Sequence, residues 1–241
     1  MSSNQRPTRI LQLIASMHVG GAERVVQHLM RSLPSRFCVD LCVTHAKGVL
    51  AEELREEGRS VVSLAGTSAY AKAASLLRVV RQGRYDIVHS HGVSACLDAA
   101  PIRAIRGVRR FVHTFHYGNY PHLAKRYMLA QRVACRAADR LVAVADSQRE
   151  AILRHLWVPS ERVCTIVNGV RPNPYATCAK LREEVLSEFS IDPHRTVFGC
   201  VAVMRPPKGL SHLIEAAHLL AEHVPQSHLL VVGGGPLEQA L

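Results

Sequence analysis

The sequence predicts an α/β protein: a doubly wound, mostly parallel sheet, followed by the first strand–helix–strand unit of a second domain of similar design. Three observations predict it. Short runs rich in Val, Ile and Leu alternate with helical patterns along the whole chain, the order that builds parallel sheets through helical crossovers. The runs show little polar alternation, as expected of strands covered on both faces. A stretch marked by Pro172, Pro174 and Pro193 then separates a long series of such elements from a short one.

The elements follow in order. Strands are expected near 9–15, 38–44, 60–64, 86–90, 110–114, 140–145 and 162–167. Between the first two, "AERVVQHLMRSL" sets Val25, Val26, Leu29, Met30 and Leu33 on one helical stripe. "AKAASLLRVVRQG" does the same and ends at Gly83, the expected C-cap. "SQREAILRHLW" starts at Ser147, the expected N-cap. The second series reads as strand 196–203, helix 209–223 and strand 228–232, with Pro236 expected to open a helix. Residues 1–172 are thus read as the first domain, 173–195 as a linker and 196–241 as the second domain. Two strands and one helix leave sheet faces and an edge open, so early proteolysis is expected in that last segment.

Composition narrows the function. The seven cysteines (38, 42, 96, 135, 164, 178 and 200) are scattered and form no Cys-x-x-Cys pair. They indicate neither a zinc knuckle nor a disulfide framework, and suit a reducing cytoplasm. Arg6 and Arg9 precede an apolar run that is short and contains Gln12, so a core strand is expected there, not a signal peptide. No run approaches the ~20 apolar residues that a spanning helix needs. The net charge of +11 is uneven: residues 101–140 carry nine lysines and arginines against the single acid Asp139. Such a region suits an anionic partner or simply a solvated face. With sparse aromatics and no nucleic-acid motif, no nucleic-acid partner is expected.

In open α/β sheets ligands bind beyond the carboxyl ends of the strands, and here those ends are polar. The first strand leads into "MHVGG" with Gly20 and Gly21, the fourth into "HSHG" with His89 and His91, and the fifth into "HTFHYG" with His113 and His116. Asp146 and Ser147 end the next strand, and Asn168 with Gly169 follow the last. Several of these are expected to line one cleft. His89 and His91 share a side if the strand extends that far, yet nothing in the sequence supplies a third ligand, and no Asp-x-Asp pair is present to hold a divalent ion. No metal or other cofactor is expected. "GGAERV" lacks the Gly-x-Gly-x-x-Gly spacing of a nicotinamide site, and Glu23 in the first helical turn repels a phosphate placed there. The second domain suits a diphosphate better: Arg205 and Lys208 stand at one strand–helix junction, and Gly233, Gly234 and Gly235 at the next.

Taken in order, "GGAERVVQHL", "YDIVHSHG", "VHTFHYG", "LVAVADSQRE", "VNGV", "RPPKGLSHLIEAAHLL" and "VVGGGPLEQAL" resemble glycosyltransferase family 4, the retaining nucleotide-sugar transferases of GT-B fold. The resemblance implies two Rossmann-like domains, with acceptor bound mainly by the first and a nucleotide-diphosphate sugar by the second. It implies that His116 contacts the transferred sugar or organises the reacting centre, that Arg205 and Lys208 stabilise the departing diphosphate, and that no metal is needed. Gly20, Gly21, Asn168, Gly233 and Gly235 are then nucleotide-sugar-binding positions. Family members usually carry an arginine where this chain has Val203; Arg205 shares that side if the backbone is extended. The family's Glu-x7-Glu region lies beyond Leu241, so the chain is expected to represent an incomplete transferase. The implied acceptor is a sugar, a lipid-linked molecule or another small molecule, with peripheral contact to the inner face of an anionic membrane through residues 101–140. In "HLAKRYMLAQRVACRAADR" a helix would set Leu123, Met128, Leu129 and Val133 among cations. Two other readings stand beside transfer: a short binding protein without catalysis, and a sugar-nucleotide epimerase on the same fold.

Overall fold

A computed structural model describes residues 6–66, 68–105, 107–116, 125–170, 172–176 and 178–241, apart from the side chains of Ala69, Lys125 and Arg126. Leu123 and Arg106 lie outside the described residues. The chain divides into two compact units, Met1–Val170 and Arg171–Leu241.

The first unit is a seven-stranded parallel sheet in the order β3-β2-β1-β4-β5-β6-β7. Its strands are β1 (Thr8–Ser16), β2 (Phe37–Ala46), β3 (Val61–Ser63), β4 (Ile87–His91), β5 (Arg110–Thr114), β6 (Arg140–Ala143) and β7 (Val163–Thr165). The crossovers carry α1 (Gly21–Ser32), α2 (Val49–Glu56), α3 (Ala69–Gly83), α4 (Gly92–Ala104), α5 (Lys125–Arg136) and α6 (Asp146–Leu156). The chain winds outward from β1 in one direction and from β4 in the other. The β1–β4 boundary is therefore the topological switch point, where ligands of such sheets bind.

Strand alternation splits the core. Ile10, Ile14, Leu41 and Val43 pack with Val26, Met30, Leu50 and Leu54 on the α1/α2 face. Leu11, Leu13, Val88, Phe111 and Phe115 pack with Leu76, Ala95, Cys96, Ala99, Ala134 and Cys135 on the other, under α3, α4 and α5. The same alternation decides where polar residues of β1, β4 and β5 point.

Three expected helix boundaries differ. α3 ends at Gly83, but Arg84 takes the left-handed C-cap (φ 48°); a Cβ on Gly83 would run into the Tyr85 ring. α6 begins at Asp146 after an extended Ala145, so Ser147 falls inside its first turn. Ala145 offers no side-chain cap, and Gln148 accepts from the Val144 N–H just ahead of it at 2.8 Å. In the second unit, turns rather than a regular helix follow Pro236. That unit holds α7 (Ala179–Glu188), β8 (Thr196–Val201), α8 (Leu210–His223) and β9 (Ser227–Val232), with β8 and β9 paired in parallel. Within it Val201, Phe198 and Leu219 are exposed.

Candidate active site

The carboxyl end of the sheet gathers the site. β4 continues through His91, so His89 and His91 do share a face, and β5 brings Thr114 alongside them. His116, two residues past β5, lies on the same side, whereas His113 falls on the opposite face by strand alternation. Three of the four histidines therefore form one cluster. The rings of His89 and His91 are 4.1 Å apart, and those of His91 and His116 are 5.2 Å apart.

Hydrogen bonds fix what each ring presents. Gln12, in the middle of β1, is buried and accepts from His91 Nε2–H at 2.7 Å. A neutral His91 then offers only a lone pair at Nδ1, which accepts from His116 Nε2–H at 2.9 Å. His116 in turn is left with an unprotonated Nδ1, buried and without a partner among the described residues. His89 Nε2 bonds Thr114 Oγ1 at 2.8 Å. Burial holds the group neutral: it brings His116 down to about 4 and, with the neighbouring His116, brings His89 down to about 4. It drives His91 well below its ordinary value, with repulsion from His89 and His116 adding to the effect. At neutral pH the cluster is thus uncharged, and the His116 Nδ1, without a partner among the described residues, is an acceptor able to take a proton donor such as a sugar hydroxyl. Gln12 escaped the sequence reading as a functional residue; its signal was a lone amide inside a fully buried strand.

The first loop is built as a helix start. Gly20 is an extended N-cap of α1, and the Glu23 carboxylate folds back against it. Nothing within 4 Å occupies the space where a Cβ of Gly21 would stand, so that position is open to an approaching ligand. The loop is braced by Gly48, whose positive φ of 72° lets it press on the Met17 backbone, where any Cβ would collide. Gly20, Gly21 and His116 follow β1 and β5, which flank β4; exposed Asn168 lies past β7, at the edge of the sheet and away from them.

In the second unit the two junctions are zipped together. Ala202 N–H donates to Val232 O, Met204 N–H to Gly234 O, and Leu237 N–H to Met204 O, at 3.0, 3.0 and 3.1 Å. Gly233 (φ 147°) and Gly235 (φ 152°) permit this, because a Cβ on either would strike the backbone of Ala202 or Met204. The glycines thus set the Arg205–Lys208 turn beside the Gly-Gly-Gly turn. Arg205 and Lys208 are exposed on either side of the Pro206-Pro207 bend. Val203 is exposed as well, but Arg205 N–H donates to Val203 O at 2.8 Å, so a tight turn replaces the extended run expected between them.

The basic region is partly spent on structure. Arg103 and Arg110 both reach Asp139 at 3.2 Å, and Phe111 N–H donates to the same carboxylate at 2.8 Å. Burial pushes the Asp139 carboxyl up, but these partners outweigh it and the net is below the ordinary value. Arg110 and Arg140 begin β5 and β6, so these cations sit at the amino edge of the sheet, opposite the histidines. On α5, Ala134 and Cys135 face the core, while Leu129 and Val133 are 61% and 62% exposed.

Residues 19–173 match the family model described as Glycosyltransferase Family 4. The chain belongs to glycosyltransferase family 4. Among its curated relatives are a UDP-Gal:alpha-D-GlcNAc-diphosphoundecaprenol alpha-1,3-galactosyltransferase of Escherichia coli, 24% identical over 98% of this chain and 65% of that protein, and an alpha-maltose-1-phosphate synthase of Mycolicibacterium smegmatis, 32% identical over 44% of this chain and 27% of that one. Anabaena HepE, solved in complex with UDP and glucose, superposes with a TM-score of 0.81 at 22% identity, over 97% of this chain and 63% of that chain. The chain thus spans just under two thirds of the length of the E. coli relative and of HepE. The seven-stranded parallel sheet and these structural neighbours make the fold GT-B.

Proposed function

We propose that the protein takes part in retaining transfer of a sugar from a nucleotide-diphosphate donor to an acceptor hydroxyl, in the synthesis of a glycan or glycoconjugate. The observation that carries this reading is the neutral histidine cluster at the switch point, with the bare Nδ1 of His116 at its end. His116 would accept a hydroxyl of the transferred sugar and so orient the anomeric carbon. As the acceptor oxygen bonds that carbon, its proton passes to the departing phosphate, and charge grows on the phosphate oxygens while the bond to the diphosphate breaks. Arg205 and Lys208, beside the backbone N–H groups of the glycine turn, would stabilise that charge more in the transition state than in the ground state. Neither role requires a metal. That HepE was solved with UDP, and in another structure with UDP-glucose, supports a nucleotide-sugar donor here.

The test is donor turnover by the natural protein, using UDP-glucose and UDP-galactose with a lipid-diphosphate-linked sugar, the acceptor class named for the E. coli relative. Transfer dependent on both substrates supports the reading, whereas a folded protein that neither binds nor turns over any sugar nucleotide sinks it. Product analysis also separates epimerisation, since an epimerase converts donor without acceptor. That reading stays in view because UDP-GlcNAc 2-epimerase of Neisseria meningitidis shares the fold, with a TM-score of 0.60 at 14% identity.

A peripheral membrane role has its own observation. Leu129 and Val133 stand one turn apart on the outer face of α5, and Trp157, 66% exposed, stacks under the Arg132 guanidinium at 4.1 Å. Apolar and aromatic side chains among arginines suit the surface of an anionic bilayer. No helix among the described residues is long and apolar enough to cross a membrane. Co-sedimentation with phosphatidylglycerol vesicles that weakens with salt and with Leu129→Ser/Val133→Ser is expected; binding equal to that on neutral vesicles would count against it.

A further inference from the structure

Strand alternation sends one histidine away from the active-site cluster. His113 is fully buried on the α4/α5 face, close to Cys96 of α4 and Cys135 of α5, which are 0% and 1% exposed. The two sulfurs and the ring nitrogen all fall within 4.8 Å of one another. His113 Nδ1 and Ser90 Oγ are hydrogen-bonded at 2.8 Å, which fixes the ring; in the tautomer with Nδ1–H as the donor, the Nε2 lone pair is bare. That nitrogen is buried and has no hydrogen-bond partner among the described residues. A buried polar atom left without a partner is costly, and here two thiols stand within 4.8 Å of the ring nitrogen.

We propose that Cys96, Cys135 and His113 form a structural site for a thiophilic divalent d10 cation of the zinc class. The spacing fits. Two sulfurs held at about 2.3 Å from zinc, with an angle between tetrahedral and trigonal, lie roughly 3.8 to 4.0 Å apart; Cys96 Sγ and Cys135 Sγ are 3.9 Å apart. The charge fits as well. Binding releases the two thiol protons to solvent, and a divalent cation with two thiolates and a neutral imidazole sums to zero, the tolerable charge for an apolar core. The ligand set is soft, as zinc-class ions prefer. Bound there, the ion would tie α4 and α5 to β5, only three residues ahead of His116. The site is separate from the transfer chemistry, so it stands or falls independently of that reading.

The experiment uses the full chain, stripped of metal and held in a non-thiol reductant without oxygen, titrated with Co2+ and then Zn2+. About one equivalent of cobalt should give an intense thiolate-to-cobalt charge-transfer band, which zinc then erases, and zinc should raise the thermal midpoint. Cys96→Ala/Cys135→Ala keeps the core small and apolar and should abolish the band, with folding checked by circular dichroism. His113→Gln should weaken binding at least 10-fold. Cys178→Ser, at an exposed cysteine, should leave it unchanged. A folded wild-type protein with no cobalt–thiolate band, or a band that survives in the double alanine variant, overturns the proposal.

Discussion

The two units place polar chemistry at their strand ends by opposite means. In Met1–Val170 the histidine cluster is made of side chains: Gln12, His91 and His116 are joined in series by hydrogen bonds of 2.7 and 2.9 Å at the carboxyl end of an open sheet. In Arg171–Leu241 the exposed cations Arg205 and Lys208 depend on backbone shape, set by glycines that let two turns touch. A buried cluster is fixed by protonation state and sensitive to pH. A glycine-shaped turn is fixed by sterics and sensitive to a single methyl group. Perturbations chosen for one unit should therefore leave the other nearly untouched.

Acid should produce the largest difference. The folded first unit keeps His89 and His116 at about 4, and His91 well below its ordinary value, while an unfolded histidine titrates near 6.5. Between those values the unfolded chain holds more protons. Stability is thus complete above pH 6.5 and is lost as the pH falls toward 4, at about 1.4 kcal/mol per pH unit for each histidine. Hydrogen exchange measured from pH 7 to 4.5 should show β1, β4 and β5 losing protection steeply. A flat profile for these strands would mean that the histidines are not held neutral.

Next in size is Lys208→Ala. The side chain is exposed, so the fold should survive, and loss of a cation from the departing diphosphate should lower transfer by about 10²- to 10³-fold. A smaller loss, with KM for donor unchanged, would move the leaving-group role elsewhere. Gly233→Ala acts on the same turn through sterics. At φ 147° with the Ala202 carbonyl in the way, the added methyl should cost roughly 1–3 kcal/mol. Limited proteolysis should then speed up in 171–241 while the first unit stays resistant.

This contrast also marks what the sequence could show. The strands were legible because Val, Ile and Leu runs such as "RILQLIA" and "RLVAVA" carry their own signal, and the expected spans agree with β1–β9 to within a few residues. α4 was not separately legible: Val93, Leu97 and Ala100 lie off its buried face of Ala95, Cys96, Ala99 and Ile102, and it contains Pro101, so no single apolar stripe marks it. At the site, strand ends located the histidines, but which face each one takes depends on where the strand stops. That is why His113 was grouped with His116 although the sheet separates them. The Cys96, His113 and Cys135 cluster had no sequence signal, since α4, β5 and α5 each contribute one residue and no short spacing links them. The glycine turns were visible as letters; that Gly233 and Gly235 are required by Ala202 and Met204 emerges only when β8 and β9 pair.

The smallest expected effect is the most diagnostic for the first unit. Gln12→Leu removes the acceptor that pins the Nε2–H form of His91, without adding charge to the core. His91 can then place its proton on Nδ1, which forces His116 to reverse and present Nδ1–H instead of a lone pair. One neutral hydrogen bond is worth about 1 kcal/mol, so kcat for transfer should fall only about 5-fold. The tautomer is a sharper readout. 15N chemical shifts of His116 in the wild type should show a protonated Nε2 and a bare Nδ1, and in Gln12→Leu a mixture of both forms. A purely structural Gln12 would alter stability and leave those shifts in place. If the wild-type ring already carries its proton on Nδ1, His116 is a donor to the sugar and Gln12 is not what orients it.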